Sequence, residues 1–348
     1  MKYRTGLVVG KFAPLTRGHE ALIEHAASQC EELIVLSYTS ADYGKYSDPD
    51  LRERWLTQFT KTRREMLNVK IAVLRDNQSF PLDEAPEEVH RQFCAQYLVN
   101  SLNTTVQAVF SSEEYGVGFA QYLQGYFNSK FKTHITVTAE TFDVARETVS
   151  VSATQVRAMG FEAAYKANLI SNRVRSDLVP RVLILGGESS GKSTLTKALA
   201  DALNTTFALE YGREFWERRD GNIFFEDMEE IAKEQILIEV HQSRQAQKVL
   251  ICDTSPLTTL FYSREMFGMV SPKLSDLAED HKYDAIYICD NDIPFEQDGT
   301  RRDTAFREKA YDFYVKFCGV PPYAIIVRGT VEERVSQVIT DLKEKGLV

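Results

Sequence analysis

RVLILGGESSGKST, residues 181–194, decides the fold of the half of the chain that contains it. Val182–Leu185 is a short apolar run, rich in branched residues, of the kind that forms a strand buried on both faces. Gly186 to Ser193 then spells G-x-x-x-x-G-K-[ST], and a helix-forming segment follows directly. Between a strand and a helix, such a loop wraps phosphate oxygens with backbone N–H groups. Its lysine reaches the outer phosphates and its hydroxyl holds a metal ion. Gly187, Glu188, Ser189, Ser190, Gly191, Lys192, Ser193 and Thr194 are therefore the expected ATP-binding residues, with Ser193 as the expected Mg²⁺ ligand.

Working outward, more short apolar runs stand at Phe207–Leu209, Val249–Cys252, Ala285–Cys289 and Ala324–Val327, with helical patterns between them. They predict an α/β domain over residues 181–348. A second series lies upstream, at Leu7–Val9, Leu33–Ser37, Ile71–Leu74, Val106–Phe110 and Ile135–Val137, with helices such as His19–Gln29 and 50–64 between. It predicts another domain over residues 1–167. Alternation of this kind gives a parallel sheet covered by helices on both faces, so the fold class is α/β with two doubly wound domains in series. Residues 168–180 are polar and basic, and they end at Val179-Pro180, which reads as a linker.

Composition narrows the function classes. Of 348 residues, 43% are hydrophobic and 26% charged, the usual balance of a globular protein with real cores. No apolar run approaches the ~20 residues of a membrane span, and the N-terminus enters a strand too soon for a signal peptide. Five scattered cysteines show no metal-ligand spacing. The expectation is a cytoplasmic protein with no membrane partner. Lys+Arg number 41 against 50 Asp+Glu, so no nucleic-acid partner is expected. A homo-oligomer is compatible with the pattern.

Two further segments carry chemistry. GKFAPLTRGH, residues 10–19, follows the first strand; Gly10 and Gly18 allow close backbone approach to an anion, and a helix starting at Gly18-His19 aims N–H groups at it. VSATQVR, residues 151–157, places Ser152, Thr154 and Arg157 at helix-start spacing, where hydroxyls cap or donate and a guanidinium clamps phosphoryl oxygens. In the second domain, Asp253 ends a buried strand, as suits a residue near a metal. Glu210 precedes Tyr211-Gly212-Arg213 and is the other acidic candidate. Which of the two takes a hydroxyl proton and which serves the metal stays open at this level. The polar segment 292–303, with Arg301 and Arg302, reads as a mobile cover over a transferring phosphoryl group.

Together, residues 10–19 and 151–157 resemble the G-x-F-x-P-x-x-x-G-H and I-S-x-T-x-x-R signatures of adenylyl-transferring nucleotidyltransferases. That implies nucleotide-binding roles for Gly10, Lys11, Phe12, Thr16, Arg17, Gly18, His19, Ser152, Thr154 and Arg157. His19 would contact the α-phosphate while Lys11, Arg17 and Arg157 neutralise the leaving pyrophosphate, and Thr16 would hydrogen-bond phosphate. With EYGRE, CDTSPLTT and IPFEQDGTRRD added, the whole chain resembles the bifunctional NadR-type proteins of NAD metabolism. The resemblance implies a Rossmann-like nucleotidyltransferase domain followed by a P-loop kinase domain. It implies a kinase making nicotinamide mononucleotide from nicotinamide riboside and ATP, and an adenylyltransferase making NAD⁺ and pyrophosphate from the mononucleotide and a second ATP, with Mg²⁺ as cofactor. His19, Arg157, Lys192, Asp253 and Glu210 would be the catalytic set. Trp55, Tyr211, Phe215 and Trp216 would be candidates to stack on nicotinamide, and Arg213 would contact substrate. Family members that repress transcription carry an N-terminal helix-turn-helix; with the catalytic motif starting at Gly10, no operator binding is expected. The competing readings are an adenylyltransferase and nucleoside kinase acting on other acceptors, such as pantetheine phosphate or a nicotinate nucleotide, and an ATP-responsive regulatory protein with one decayed site.

Overall fold

Leu7 and Val8 sit on opposite faces of strand β1 (Tyr3–Gly10), and both are fully buried. Leu7 packs in a cluster with Leu98, Phe119, Leu123 and Phe127; Val8 packs with Ile23, Trp55 and Phe110. A strand covered on both faces needs apolar residues at consecutive positions, which is why this stretch is a continuous run. The computed structural model describes residues 1–75, 79–112, 115–142, 151–299, 301–319 and 323–348. Two units divide the chain, Met1–Leu178 and Val179–Val348.

In the first unit, β1 is joined by β2 (Cys30–Ser37), β3 (Val69–Val73), β4 (Ala108–Ser111) and β5 (Thr138–Thr141). The order is β3-β2-β1-β4-β5 and every pairing is parallel. The connecting helices are α1 (Arg17–Gln29), α2 (Pro49–Lys61), α3 (Glu87–Asn100) and α4 (Gly116–Phe131), followed by the short α5 (Ala153–Met159), α6 (Phe161–Lys166) and α7 (Asn172–Leu178). Strand order reverses at β1, so a crevice opens at the carboxyl ends of β1 and β4.

Two expectations change here. The fifth strand is Thr138–Thr141 rather than Ile135–Val137. Asn128 takes both backbone groups of Ile135, at 2.6 and 3.0 Å, and Gln124 takes the Val137 N–H at 3.1 Å, which removes them from the ladder. Residues 168–180 are not a free linker along their length. The Leu169 carbonyl accepts the Arg17 N–H at 2.9 Å, and α7 buries Val174 and Leu178 in the core of the first unit.

The second unit has β6 (Arg181–Leu185), β7 (Phe207–Ala208), β8 (Leu250–Asp253), β9 (Ala285–Cys289) and β10 (Ala324–Val327), in the parallel order β10-β9-β6-β8-β7. Its helices are α8 (Lys192–Ala202), α9 (Tyr211–Arg218), α10 (Asp227–Ser243), α11 (Pro256–Phe267), α12 (Pro272–Asp280), α13 (Thr304–Cys318) and α14 (Val331–Glu344). Val182 and Ile184 on β6 pack against Leu195, Leu199 and Val338. Strand order reverses at β6, placing this unit's crevice beside the loop after β6 and the end of β8. No described helix is long and apolar enough to cross a membrane.

Candidate active sites

The first unit holds a cavity of about 720 Å³ at the carboxyl ends of β1 and β4. Gly10, Lys11, Phe12, Gly18 and His19 line it from one side, and Ser152, Thr154 and Arg157 from the other. The two signature segments, far apart in sequence, therefore meet across one space. Gly18 lets them approach closely: a Cβ there would lie 3.2 Å from Val151 Cγ1 and 3.4 Å from its carbonyl oxygen.

His19 is oriented by the turn before it. Its Nδ1 accepts the Thr16 backbone N–H at 3.1 Å, while the Thr16 hydroxyl accepts the His19 N–H at 3.3 Å. This reciprocal cap closes the first turn of α1. It also assigns the proton of the neutral ring to Nε2, because Nδ1 is the acceptor. The Phe12 ring meets the imidazole edge-on at 5.0 Å. Arg157 donates to the Ala13 carbonyl at 2.5 Å and to Thr154 Oγ1 at 3.0 Å, and its guanidinium lies over the Tyr43 ring at 4.0 Å. Lys11 pairs with Asp83 at 2.7 Å. Partial burial opposes ionisation of Asp83, yet Lys11, the Ser40 N–H and the Thr39 hydroxyl outweigh it and hold the carboxyl below its ordinary range.

Three expectations for this unit fail. Thr16 is fully buried and off the cavity wall; its hydroxyl caps α1 and orients His19 instead of meeting phosphate. Arg17 does not line the cavity; it pairs with Glu20 at 2.7 Å. Trp55 is 0% exposed and gives its Nε1–H to Asp177 at 2.8 Å, so it cannot stack on a ligand. Its spacing from Arg52, Leu56 and Phe59 on α2 was a signal of an inward face. Other wall residues escape a motif reading: Tyr38, Tyr43, Asp83, His90 and Arg91. The Tyr38 hydroxyl and His90 Nδ1 lie 3.0 Å apart. Behind the wall, buried Arg52 reaches Ser37 Oγ at 2.8 Å and the Lys11 carbonyl at 3.3 Å, fixing the loop that presents Lys11.

In the second unit, Glu188 through Thr194 line a smaller cavity of about 210 Å³. The loop is tight. A Cβ on Gly187 would sit 2.6 Å from the Arg307 carbonyl oxygen, so only glycine fits. Gly187 itself stands behind the lining residues and receives the Lys192 ammonium on its carbonyl at 3.0 Å. Buried Arg334, from α14, donates to the Ser190 carbonyl at 2.6 Å and also pairs with Asp292.

Asp253 ends β8 and is 1% exposed, and neither carboxylate oxygen has a hydrogen-bond partner of regular geometry among the described residues. Burial pushes its pKa up; Lys192 and the nearby Ser193 hydroxyl pull against that. A buried carboxylate left so poorly partnered beside a phosphate loop fits a divalent cation. Glu210 lies on the cavity wall at the start of α9, beyond the end of β7 rather than closing it. Burial raises its pKa, with Lys192 opposing and Asp253 adding.

Arg213, Trp216, Tyr262, Arg301 and Arg302 also line the cavity. Asp298 links Arg213 at 3.4 Å and Arg301 at 3.1 Å. Glu188 receives the Tyr262 hydroxyl at 2.7 Å and the Arg302 N–H at 2.6 Å, so segment 292–303 already rests on the phosphate loop. Thr300 of that segment lies outside the described residues. Tyr211 and Phe215 are corrections: both are buried in a small apolar cluster with Ile231 and neither lines the cavity, whereas Trp216 does. Arg307, close behind this segment on α13, is buried and donates to Asn291 Oδ1 and to the Ile293 carbonyl.

Comparisons with known proteins cover both units. An AAA-domain family profile matches residues 181–334. The Trifunctional NAD biosynthesis/regulator protein NadR of Salmonella typhimurium strain LT2 is 29% identical over 310 residues, spanning 85% of this chain and 71% of that protein. A crystal structure of NadR protein in complex with NAD and AMP-PNP superposes with a TM-score of 0.63 at 22% identity, covering 98% of this chain and 96% of the other. A second, in complex with NR, gives 0.63 at 21% identity, with 98% and 95% covered. In sequence and in fold, across both of its units, this chain is similar to NadR proteins.

Proposed function

We propose that the chain is a bifunctional NAD-salvage enzyme whose activities divide at Leu178/Val179. The Val179–Val348 unit phosphorylates nicotinamide riboside with ATP, and the Met1–Leu178 unit joins the resulting mononucleotide to the AMP moiety of another ATP. The observation that carries this reading is that each unit has its own cavity, lined by one of the nucleotide-binding signatures, at the point where its strand order reverses.

In the kinase step, the riboside 5′-oxygen attacks the γ-phosphorus, the bond to the β,γ-bridging oxygen breaks, and ADP leaves. Glu210 takes the hydroxyl proton: it lines the cavity, and burial raises its pKa above the ordinary carboxylate value, which makes it a stronger base. Asp253 and Ser193 would hold Mg²⁺, which when bound with the nucleotide neutralises phosphate charge. Lys192 reaches the transferring phosphoryl by leaving the Gly187 carbonyl. Arg301, Arg302 and Arg213 close the other side of the cavity and exclude water.

In the adenylyl step, a phosphate oxygen of the mononucleotide attacks the α-phosphorus of ATP and the α,β-bridging bond breaks to release pyrophosphate. No proton need move. The protein's task is to position two anions and stabilise charge on the α-phosphoryl group and the leaving group. His19 donates from Nε2, and Lys11 and Arg157 provide the cations, Lys11 after release from Asp83.

The test is a coupled assay of the whole chain with Mg·ATP and nicotinamide riboside, products separated by chromatography. Mononucleotide followed by NAD⁺ is the expected result. Lys192→Ala should abolish mononucleotide formation and still convert supplied mononucleotide to NAD⁺; His19→Ala should do the reverse. No turnover of riboside or mononucleotide by the wild-type chain would defeat the assignment.

A further inference from the structure

Part of the lining of the second unit's cavity is apolar: Trp216, Ile223, Met228, Ile231, Met266 and Ala310. Set into that wall is an amide, Gln235 on α10, with 2% of its surface exposed. Its orientation is fixed from behind: Oε1 accepts the Tyr211 N–H at 2.9 Å. Nε2 is left buried with no hydrogen-bond partner among the described residues. A buried donor left unpaired is costly, and in a cavity wall it calls for a partner that arrives with the ligand.

We infer that Gln235 reads the ring substituent of the kinase acceptor, donating from Nε2 to a neutral carbonyl oxygen, and so determines specificity for a carboxamide-bearing riboside. The inference rests on the riboside-kinase reading. With Oε1 committed to Tyr211, the side chain has only hydrogens to offer, so its complement is an acceptor atom. The surrounding apolar wall favours a neutral carbonyl over a carboxylate, whose desolvation one amide donor does not offset. A ring with no substituent leaves Nε2 as unpaired as it is in the empty cavity.

The experiment measures kcat and KM of the whole chain for three ribosides: nicotinamide riboside, the unsubstituted pyridinium riboside and nicotinate riboside. The wild type should prefer the carboxamide to the bare ring by roughly tenfold in kcat/KM, the effect of one buried neutral hydrogen bond. Nicotinate riboside should also be poorer than the carboxamide. Gln235→Met removes the donor and offers no acceptor to the NH₂ of the carboxamide; it should bring the carboxamide-to-bare-ring ratio close to one, mainly through KM. Equal use of carboxamide and bare ring by the wild type would overturn the inference while leaving the kinase reading intact, and that comparison needs no variant to fold. A variant that loses both ribosides in equal proportion would reduce Gln235 to a support for Tyr211. Absence of phosphorylation of any riboside by the wild type would instead defeat the kinase reading itself.

Discussion

Thr16→Val separates two roles that a motif cannot tell apart. The substitution keeps shape and removes only the hydroxyl, which in the structure touches His19 N at 3.3 Å and lies 3.2 Å from its Nδ1. If the hydroxyl caps α1, its loss costs about 1 kcal/mol, within the ~0.5–2 kcal/mol range for such caps. For a unit of this size that lowers the melting temperature by roughly 2–4 °C. The backbone bond from Thr16 N to His19 Nδ1 survives the change, so the imidazole keeps its tautomer and the KM for ATP in adenylyl transfer stays at its wild-type value. Calorimetry of the N-terminal unit's transition, together with initial rates of NAD⁺ formation from supplied mononucleotide, reads both quantities. An unchanged melting temperature with a roughly tenfold higher KM for ATP, the mark of a lost ligand hydrogen bond, would refute the argument and return Thr16 to the phosphate.

Three other outcomes follow from the geometry. Because Glu210 is pushed above the ordinary carboxylate value and acts deprotonated, the kinase rate should fall with decreasing pH from a higher pH than an unperturbed glutamate would set; Glu210→Gln should lower kcat by about 10²–10⁴-fold, and a full rate in that variant would place the base elsewhere. Arg334→Met removes the donor to Ser190 O and the partner of Asp292; it should destabilise the second unit by about 1–3 kcal/mol and raise the kinase KM for ATP, with adenylyl transfer as an unaffected control. Trp55→Phe should cost about 1–3 kcal/mol through the lost hydrogen bond to the Asp177 carboxylate, which Arg54 still pairs, while leaving the KM for mononucleotide unchanged, and a selective rise in that KM would contradict its burial.

The parts of the site that were legible are those whose geometry is local. The phosphate loop and residues 10–19 each place their cavity-lining groups by backbone turns within one segment, so spacing points to them, Thr16 and Arg17 excepted, and residues 151–157 carry their own helix start. Asp83 and Arg52 contribute through their positions against the Lys11 loop, which only the folded sheet creates. Arg334 is equally silent in sequence, an arginine on an amphipathic helix whose head happens to end under the phosphate loop. Aromatic residues misled for a related reason. Trp55 and Tyr211 have the chemistry to stack on a ring, but helix faces decide whether they see the cavity, and the inward spacing on α2 was the better guide. The strands were legible because burial on both faces writes itself as a continuous apolar run; β5, with intermediate and exposed residues, has no such run, and the apolar Ile135–Val137 beside it is consumed by side-chain amides.

Both units fasten the loop after their first strand with an arginine that comes 144 positions later: Arg157 on the Ala13 carbonyl and Arg334 on the Ser190 carbonyl. During synthesis the two sites therefore mature at different moments. The first unit's site has all of its named parts once α5 has left the ribosome, before most of the second unit exists. The kinase loop is emitted early in its own unit and waits for almost the whole remaining chain before its last brace arrives. A product truncated before α14 would carry the complete phosphate-loop signature and still lack the support that holds it in shape.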